Sequence, residues 1–196
     1  VVRYDQRGVG KSRSANLKDA QLSIENFTQD LLALTDALKA NIPQVDVYLL
    51  GHSWGTVLGI KAAYQAPDKF KAYIGMGQIV HQQKADSISY EFCLKKAKEN
   101  EDTEALEILN KMNAYLYSSS RELLSQEREI LQKYKGSSFQ EGVRDELKQC
   151  VLQSPEMSIL EVLSYQSRGR EMDLKIFPQL LKVDFFTSIP KVELQN

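Results

Sequence analysis

Apolar residues recur with two different periods along the first eighty positions. Ile24, Phe27, Leu31, Leu34 and Leu38 return at three- and four-residue steps after Ser23. This spacing predicts an amphipathic helix through Ala40, with Ser23 as its N-cap and Pro43 closing it. Val45-Asp46-Val47-Tyr48-Leu49-Leu50 is a short run rich in β-branched and aromatic residues and predicts a strand at 46–50. A helix over 55–66 follows and stops before Pro67, and Lys71 to Gly77 predicts another short strand. Val1-Val2-Arg3-Tyr4 reads as the tail of a strand. Strands alternating with helices imply a parallel sheet with right-handed crossovers and helices on both faces. Ligands of such sheets bind beyond the carboxyl ends of the strands.

From Asp86 to about Leu181 the strand signal disappears. Ile88, Phe92, Leu94 and Ala97 mark one helix, and Thr103 can cap a second through Leu106, Leu109 and Met112. A third is expected from Arg121 to Tyr134, ending at Gly136, a fourth near 139–152, and a fifth capped by Ser158, with more helix toward Leu181. The expected organisation is a partial α/β core over 1–80, a helical block over 81–183, and a return toward the core over 184–196. Charge runs such as Lys95-Lys96-Ala97-Lys98-Glu99 read as solvated helix faces.

The chemistry concentrates where the central strand meets the next helix. Gly51-His52-Ser53-Trp54-Gly55 is a G-x-S-x-G pattern in a strand–turn–helix setting, the context of a nucleophile elbow. A serine in so tight a turn holds its hydroxyl clear of the sheet edge. Gly51 and Gly55, without Cβ atoms, are expected to let strand and helix approach closely. The N–H of Trp54, at the helix start, is placed to face a developing oxyanion. Gly10-Lys11-Ser12 invites a phosphate-loop reading, but the pattern needs glycine where Asp5 stands, and Arg13-Ser14-Ala15-Asn16 follows in place of a helix.

Bulk properties narrow the class. Lys+Arg total 25 against 26 Asp+Glu, a balance that argues against a nucleic-acid or anionic-membrane partner. No apolar run is long enough to span a bilayer, and no basic-then-apolar leader opens the sequence. Cys93 and Cys150 match no metal spacing and read as free thiols of a reducing compartment, so a cytoplasmic location is expected and neither metal nor cofactor is implied. Asn26-Phe27-Thr28 fits a glycosylation acceptor but lies inside a helical pattern with no secretory signal.

Together, Asp5-Gln6-Arg7-Gly8-x-Gly10-x-Ser12, the elbow and the helical block resemble the α/β-hydrolase superfamily, most closely its proline iminopeptidase-like serine hydrolases. Those proteins carry a D-x-R-G-x-G-x-S loop, then a G-x-S-W-G elbow, then a helical cap, in this order. The resemblance implies a partial doubly wound parallel sheet with an inserted all-helical cap. It implies amide or ester hydrolysis through an acyl-enzyme on Ser53, with a small-molecule or short-peptide substrate and possible aminopeptidase activity. The family's chain order is serine, acid, then histidine. Here the two histidines are His52 and His81, and neither stands in that order. His52 is expected to pack and hydrogen-bond beside the elbow, and His81 to serve a hinge or surface role. Asp5 and Arg7 are expected to brace their loop together. The indole of Trp54 could line the pocket or pack. Glu91 and Glu101 offer carboxylates in the cap, but no motif selects either. The acid, the base and the second oxyanion donor are expected outside the chain, which reads as truncated at both ends and inactive alone. Strand completion by missing segments or homo-oligomerisation would cover the sheet edges. Two alternatives stay open: a cap-bearing esterase, lipase or carbon–carbon hydrolase, and a non-catalytic hydrolase-like binding module.

Overall fold

The computed structural model describes residues 1–13, 17–18, 21–42, 44–113, 121–137, 149–150, 153 and 175–189. Pro43, all but 149–150 of the helix expected at 139–152, the start of the helix expected from Ser158, and the end of the return segment lie outside the described residues. The chain divides into two compact units, Val1–Gln82 with Arg168–Asn196, and Gln83–Ser167.

In the first unit, helix α1 (Ile24–Asn41) starts at Ser23, whose extended backbone lets its hydroxyl accept from the Asn26 N–H at 3.1 Å. Strand β1 (Tyr48–His52) runs into helix α2 (Trp54–Gln65), and a 3₁₀ turn (Pro67–Lys69) leads to strand β2 (Ala72–Met76). The strands pair in parallel, in register from Tyr48 with Ala72 to His52 with Met76. Helix α2 is buried because it is apolar nearly all round: Val57, Ala62 and Ala63 are fully covered. It meets α1 and the sheet through two clusters. One is Leu22, Phe27, Leu58 and Ile176; the other is Leu32, Ala62, Ala63 and Phe70, with Leu49 and Tyr73 of the strands against it. The alternate strand positions Tyr48, Leu50, Ile74 and Met76 are exposed, so the opposite face of the sheet is apolar and open.

Residues 1–6 form no strand. A strand exists through its ladder of hydrogen bonds, and residues 1–6 take part in no such ladder among the described residues. The return segment is placed by backbone pairing. Phe185 N–H donates to Val80 O at 2.8 Å and Gln82 N–H to Val183 O at 3.3 Å, so His81 and Asp184 form an antiparallel bridge. Asp184 then caps the short helix Phe185–Ser188 by accepting from the Phe186 and Thr187 N–H groups.

The second unit is helical in its described part: α3 (Gln82–Glu99, from the last residue of the first unit), α4 (Thr103–Asn113) and α5 (Arg121–Lys133). Cys93, Ala97, Ala105, Leu109, Met112, Leu124 and Ile130 are buried in it. Thr103 is not the cap of α4. Asp102 takes that place, its carboxylate accepting from the Ala105 N–H at 3.2 Å, because an ionised acceptor at a helix start outcompetes a hydroxyl. Glu127 is buried beside Cys93, whose thiol lies 3.9 Å from its carboxylate.

Candidate active site

Ser53 stands at the N-cap of α2 with φ 51° and ψ −118°. A side chain at positive φ meets its own backbone, and such a conformation persists only where its surroundings enforce it, at about 1–3 kcal/mol. Three contacts hold it. The Ser53 N–H donates to Met76 O, at the end of β2, at 2.9 Å. Its carbonyl accepts from the Thr56 N–H at 2.9 Å and from the Thr56 hydroxyl at 2.6 Å. The consequence is chemical. A serine at an N-cap ordinarily spends its oxygen on the helix's free N–H groups, as Ser23 does on α1. Ser53 makes no such side-chain cap bond, and the residue is exposed.

The turn is tight because Gly51 permits it. A Cβ there would stand 2.7 Å from Gly55 O and 3.0 Å from Thr56 Cα. The steric reason is one-sided: among the described residues, a Cβ on Gly55 would meet nothing within 4 Å. Gly55 contributes its carbonyl to the close approach rather than its missing side chain.

Trp54 begins α2, so its N–H belongs to the first, unpaired turn of the helix. Its indole packs inward on the Leu22–Phe27–Leu58–Ile176 cluster and meets the Phe27 ring edge-on at 6.0 Å. Indole Nε1–H donates to Gln6 Oε1 at 3.1 Å, which ties the 5–12 loop to the elbow helix.

Within that loop Asp5 and Arg7 do not pair with each other. The Arg7 guanidinium forms a two-pronged bond with Asp30 of α1, at 2.6 Å from Nε and 2.5 Å from the outer nitrogen. This bond raises the Arg7 pKa further, against an opposing effect of burial. Asp5 accepts from the Lys11 N–H at 2.8 Å, and its carboxylate occupies the space a Cβ on Gly10 would need. The fork needs a carboxylate facing the guanidinium across the loop. Asp30 meets that need, whereas Asp5 turns back to its own backbone.

Behind the elbow lies a polar knot. Thr56 is fully buried, and its hydroxyl also accepts from the Ile79 N–H at 3.0 Å. The Tyr73 hydroxyl sits 2.6 Å from Gln78 Oε1 and 3.1 Å from Thr56 O, and burial pushes its pKa up to about 12, so it acts as a neutral donor. His52 is exposed rather than packed beside the elbow, since it ends β1 on the open face of the sheet. His81 is half-buried in its bridge to Asp184. Burial opposes ionisation of Asp184, but the Thr187 hydroxyl, two backbone N–H groups and the charge of His81 outweigh it and lower its pKa.

Gln6, Asp30 and Thr56 are the members of this arrangement that sequence reasoning missed. Their partners lie 23 to 48 residues away along the chain, and no local motif marks them. Among the described residues no group of three or more acidic, His or Cys side chains could hold a metal ion, and no helix is long and apolar enough to cross a membrane.

Comparison with known proteins identifies the family. Over 91 residues the chain is 37% identical to "Probable aminopeptidase YbaC" of Bacillus subtilis (strain 168), covering 46% of this chain and 29% of that protein. Over 77 residues it is 40% identical to an epoxide hydrolase of Caballeronia sordidicola, covering 39% of this chain and 22% of that one. Over 74 residues it is 32% identical to a proline iminopeptidase of Heyndrickxia coagulans, covering 38% and 24%. The matched stretches thus span less than a third of each relative. No solved structure matches the chain. Residues 1–140 match the family described as serine aminopeptidase, S33, and with that match covering most of the sequence, the chain belongs to this family of α/β-hydrolases.

Proposed function

We propose that Ser53 is the nucleophile of a serine hydrolase that cleaves amide or ester bonds through an acyl-enzyme. The observation that carries this reading is the backbone of Ser53: a strained serine at a helix N-cap, exposed and making no cap bond. Strain at such a site has a use when it aims a reacting atom.

In the reaction, Ser53 Oγ adds to the substrate carbonyl carbon while its proton passes to a general base. The Trp54 N–H donates to the oxygen that becomes negative. Collapse of the adduct breaks the bond to the amine or alcohol, which leaves with that proton. Water then adds to the ester on Ser53 and releases the acid, restoring the hydroxyl. In this reading neither His52 nor His81 is the base. The helical second unit is the cap of this hydrolase, and aminopeptidase action on small peptides is the favoured activity, in keeping with the names of two relatives.

The test is hydrolysis of aminoacyl p-nitroanilides and p-nitrophenyl esters by the complete gene product carrying this chain. Turnover abolished by Ser53→Ala supports the reading; turnover that survives the substitution refutes it.

A further inference from the structure

Three threonines of the first unit are buried and bond back to their own helix. Thr28 and Thr35 donate to Ile24 O and Leu31 O, each at 2.8 Å, one turn earlier in α1. Such back-bonds are ordinary in helices. Thr56 differs in two ways. Its acceptor is the carbonyl of the strained residue, Ser53, at 2.6 Å, and its oxygen accepts from the Ile79 N–H at 3.0 Å, so the hydroxyl joins points 26 residues apart. The Thr56 carbonyl also lies 3.1 Å from the Tyr73 hydroxyl, which shares its proton with Gln78 Oε1. Meanwhile Met76 O receives the Ser53 N–H. Both peptide groups flanking Ser53 are therefore fastened, one to the end of β2 and one, through Thr56, to the segment after it.

We infer that Thr56 is a positioning residue: its hydroxyl fastens the Ser53 carbonyl to the Ile79 amide and so holds the nucleophile in its strained, exposed conformation. The inference rests on the reading of Ser53 as nucleophile. Without the hydroxyl, the Ser53 carbonyl keeps only the Thr56 N–H, the Ile79 N–H loses its acceptor, and the peptide after Ser53 is free to rotate toward an ordinary N-cap. A serine that relaxed in this way would turn its oxygen to the helix start and lose reactivity without any change in the substrate pocket.

The experiment measures saturation kinetics of fluorophosphonate labelling, together with amide hydrogen exchange over residues 77–80. It compares the complete gene product with Thr56→Val, Thr56→Ala, Thr56→Ser and Thr35→Val. Thr35→Val removes an equally buried, back-bonded hydroxyl elsewhere and serves as the control. We expect the limiting labelling rate to fall on the order of tenfold to a hundredfold in Thr56→Val and Thr56→Ala. The probe's half-saturation should stay unchanged, Thr56→Ser should restore the rate, and Thr35→Val should leave it intact. The Ile79 amide should exchange faster in the two hydroxyl-free variants alone. Wild-type labelling rates in Thr56→Val and Thr56→Ala, or unchanged exchange at Ile79, would overturn the inference. Failure of both variants to fold would also overturn it, by making Thr56 a residue of stability only. An unlabelled wild type would refute the reading of Ser53 itself and the reactivity claim with it. An unlabelled Thr56→Val beside a labelled wild type leaves that reading standing.

Discussion

The carbonyl oxygen of Gly55 lies 2.7 Å from where a Cβ on residue 51 would stand. That is closer than carbon and oxygen can approach without a shift, and the obstacle is backbone, which cannot swing aside. Gly51→Ala should push the start of α2 away from β1 and destabilise the protein by about 1–3 kcal/mol, in the range of other overpacked sites. A urea unfolding midpoint measures it; a midpoint equal to wild type would mean that the elbow is looser than described. Gly55→Ala, with open space before its Cβ, should cost less.

Ser53 carries the opposite prediction. Its φ of 51° suits glycine better than any other residue. Ser53→Gly should therefore be more stable than Ser53→Ala by about 1 kcal/mol, since alanine keeps the clash and glycine removes it. Thermal unfolding of the two variants side by side gives the comparison. Equal stability would remove strain from the account of this site.

The parts of the site legible in the sequence were those built from neighbours in the chain. Strand, G-x-S-x-G and helix follow one another, so their order alone places Ser53 at the turn and the Trp54 N–H at the helix start. Ser23 could be named as a cap because its acceptor role depends on residues three positions away. What escaped were bonds across the fold. Arg7 was expected to brace the loop with Asp5, the nearest carboxylate in sequence, yet Asp30 on α1 receives its fork. The strand expected at 1–4 does not form for a related reason: a strand needs a partner ladder, and four strand-prone residues cannot say whether one is present. Thr56 stands inside the helix expected over 55–66, and nothing near it in sequence announces Ile79.

The Arg7–Asp30 fork should respond to shape as well as charge. Its side chains are 26% and 32% exposed, so solvent screening limits it to about 1 kcal/mol. Arg7→Lys should lose most of that, because an ammonium cannot make the paired bonds of a guanidinium. A double-mutant cycle with Asp30→Asn, read by urea unfolding, checks it. Additive losses in the cycle would mean that the two residues do not interact.

Glu127 in the helical unit should make stability fall as pH rises. Burial, helped by Asp86 and opposed by Arg128 and by the hydrogen bond from Cys93, raises its pKa from 4.5 to about 7. Between those values the unfolded chain has released a proton that the folded one retains, so deprotonation favours unfolding. The stabilising contribution is complete below about pH 4.5 and lost by the time pH passes about 7. Glu127→Gln, which cannot titrate, should lack this component. Urea midpoints of both proteins at pH 5 and pH 7.5 give the difference; parallel changes in the two would exclude Glu127 as the source.

The central claim is that Ser53 is the nucleophile, and site-resolved fluorophosphonate labelling tests it most directly. The complete gene product would be treated with the probe, digested, and the modified residue identified by mass spectrometry, with Ser53→Ala alongside. The account predicts a single adduct on Ser53, absent from the variant. An adduct on another serine, or no adduct in a folded and otherwise active protein, would contradict it.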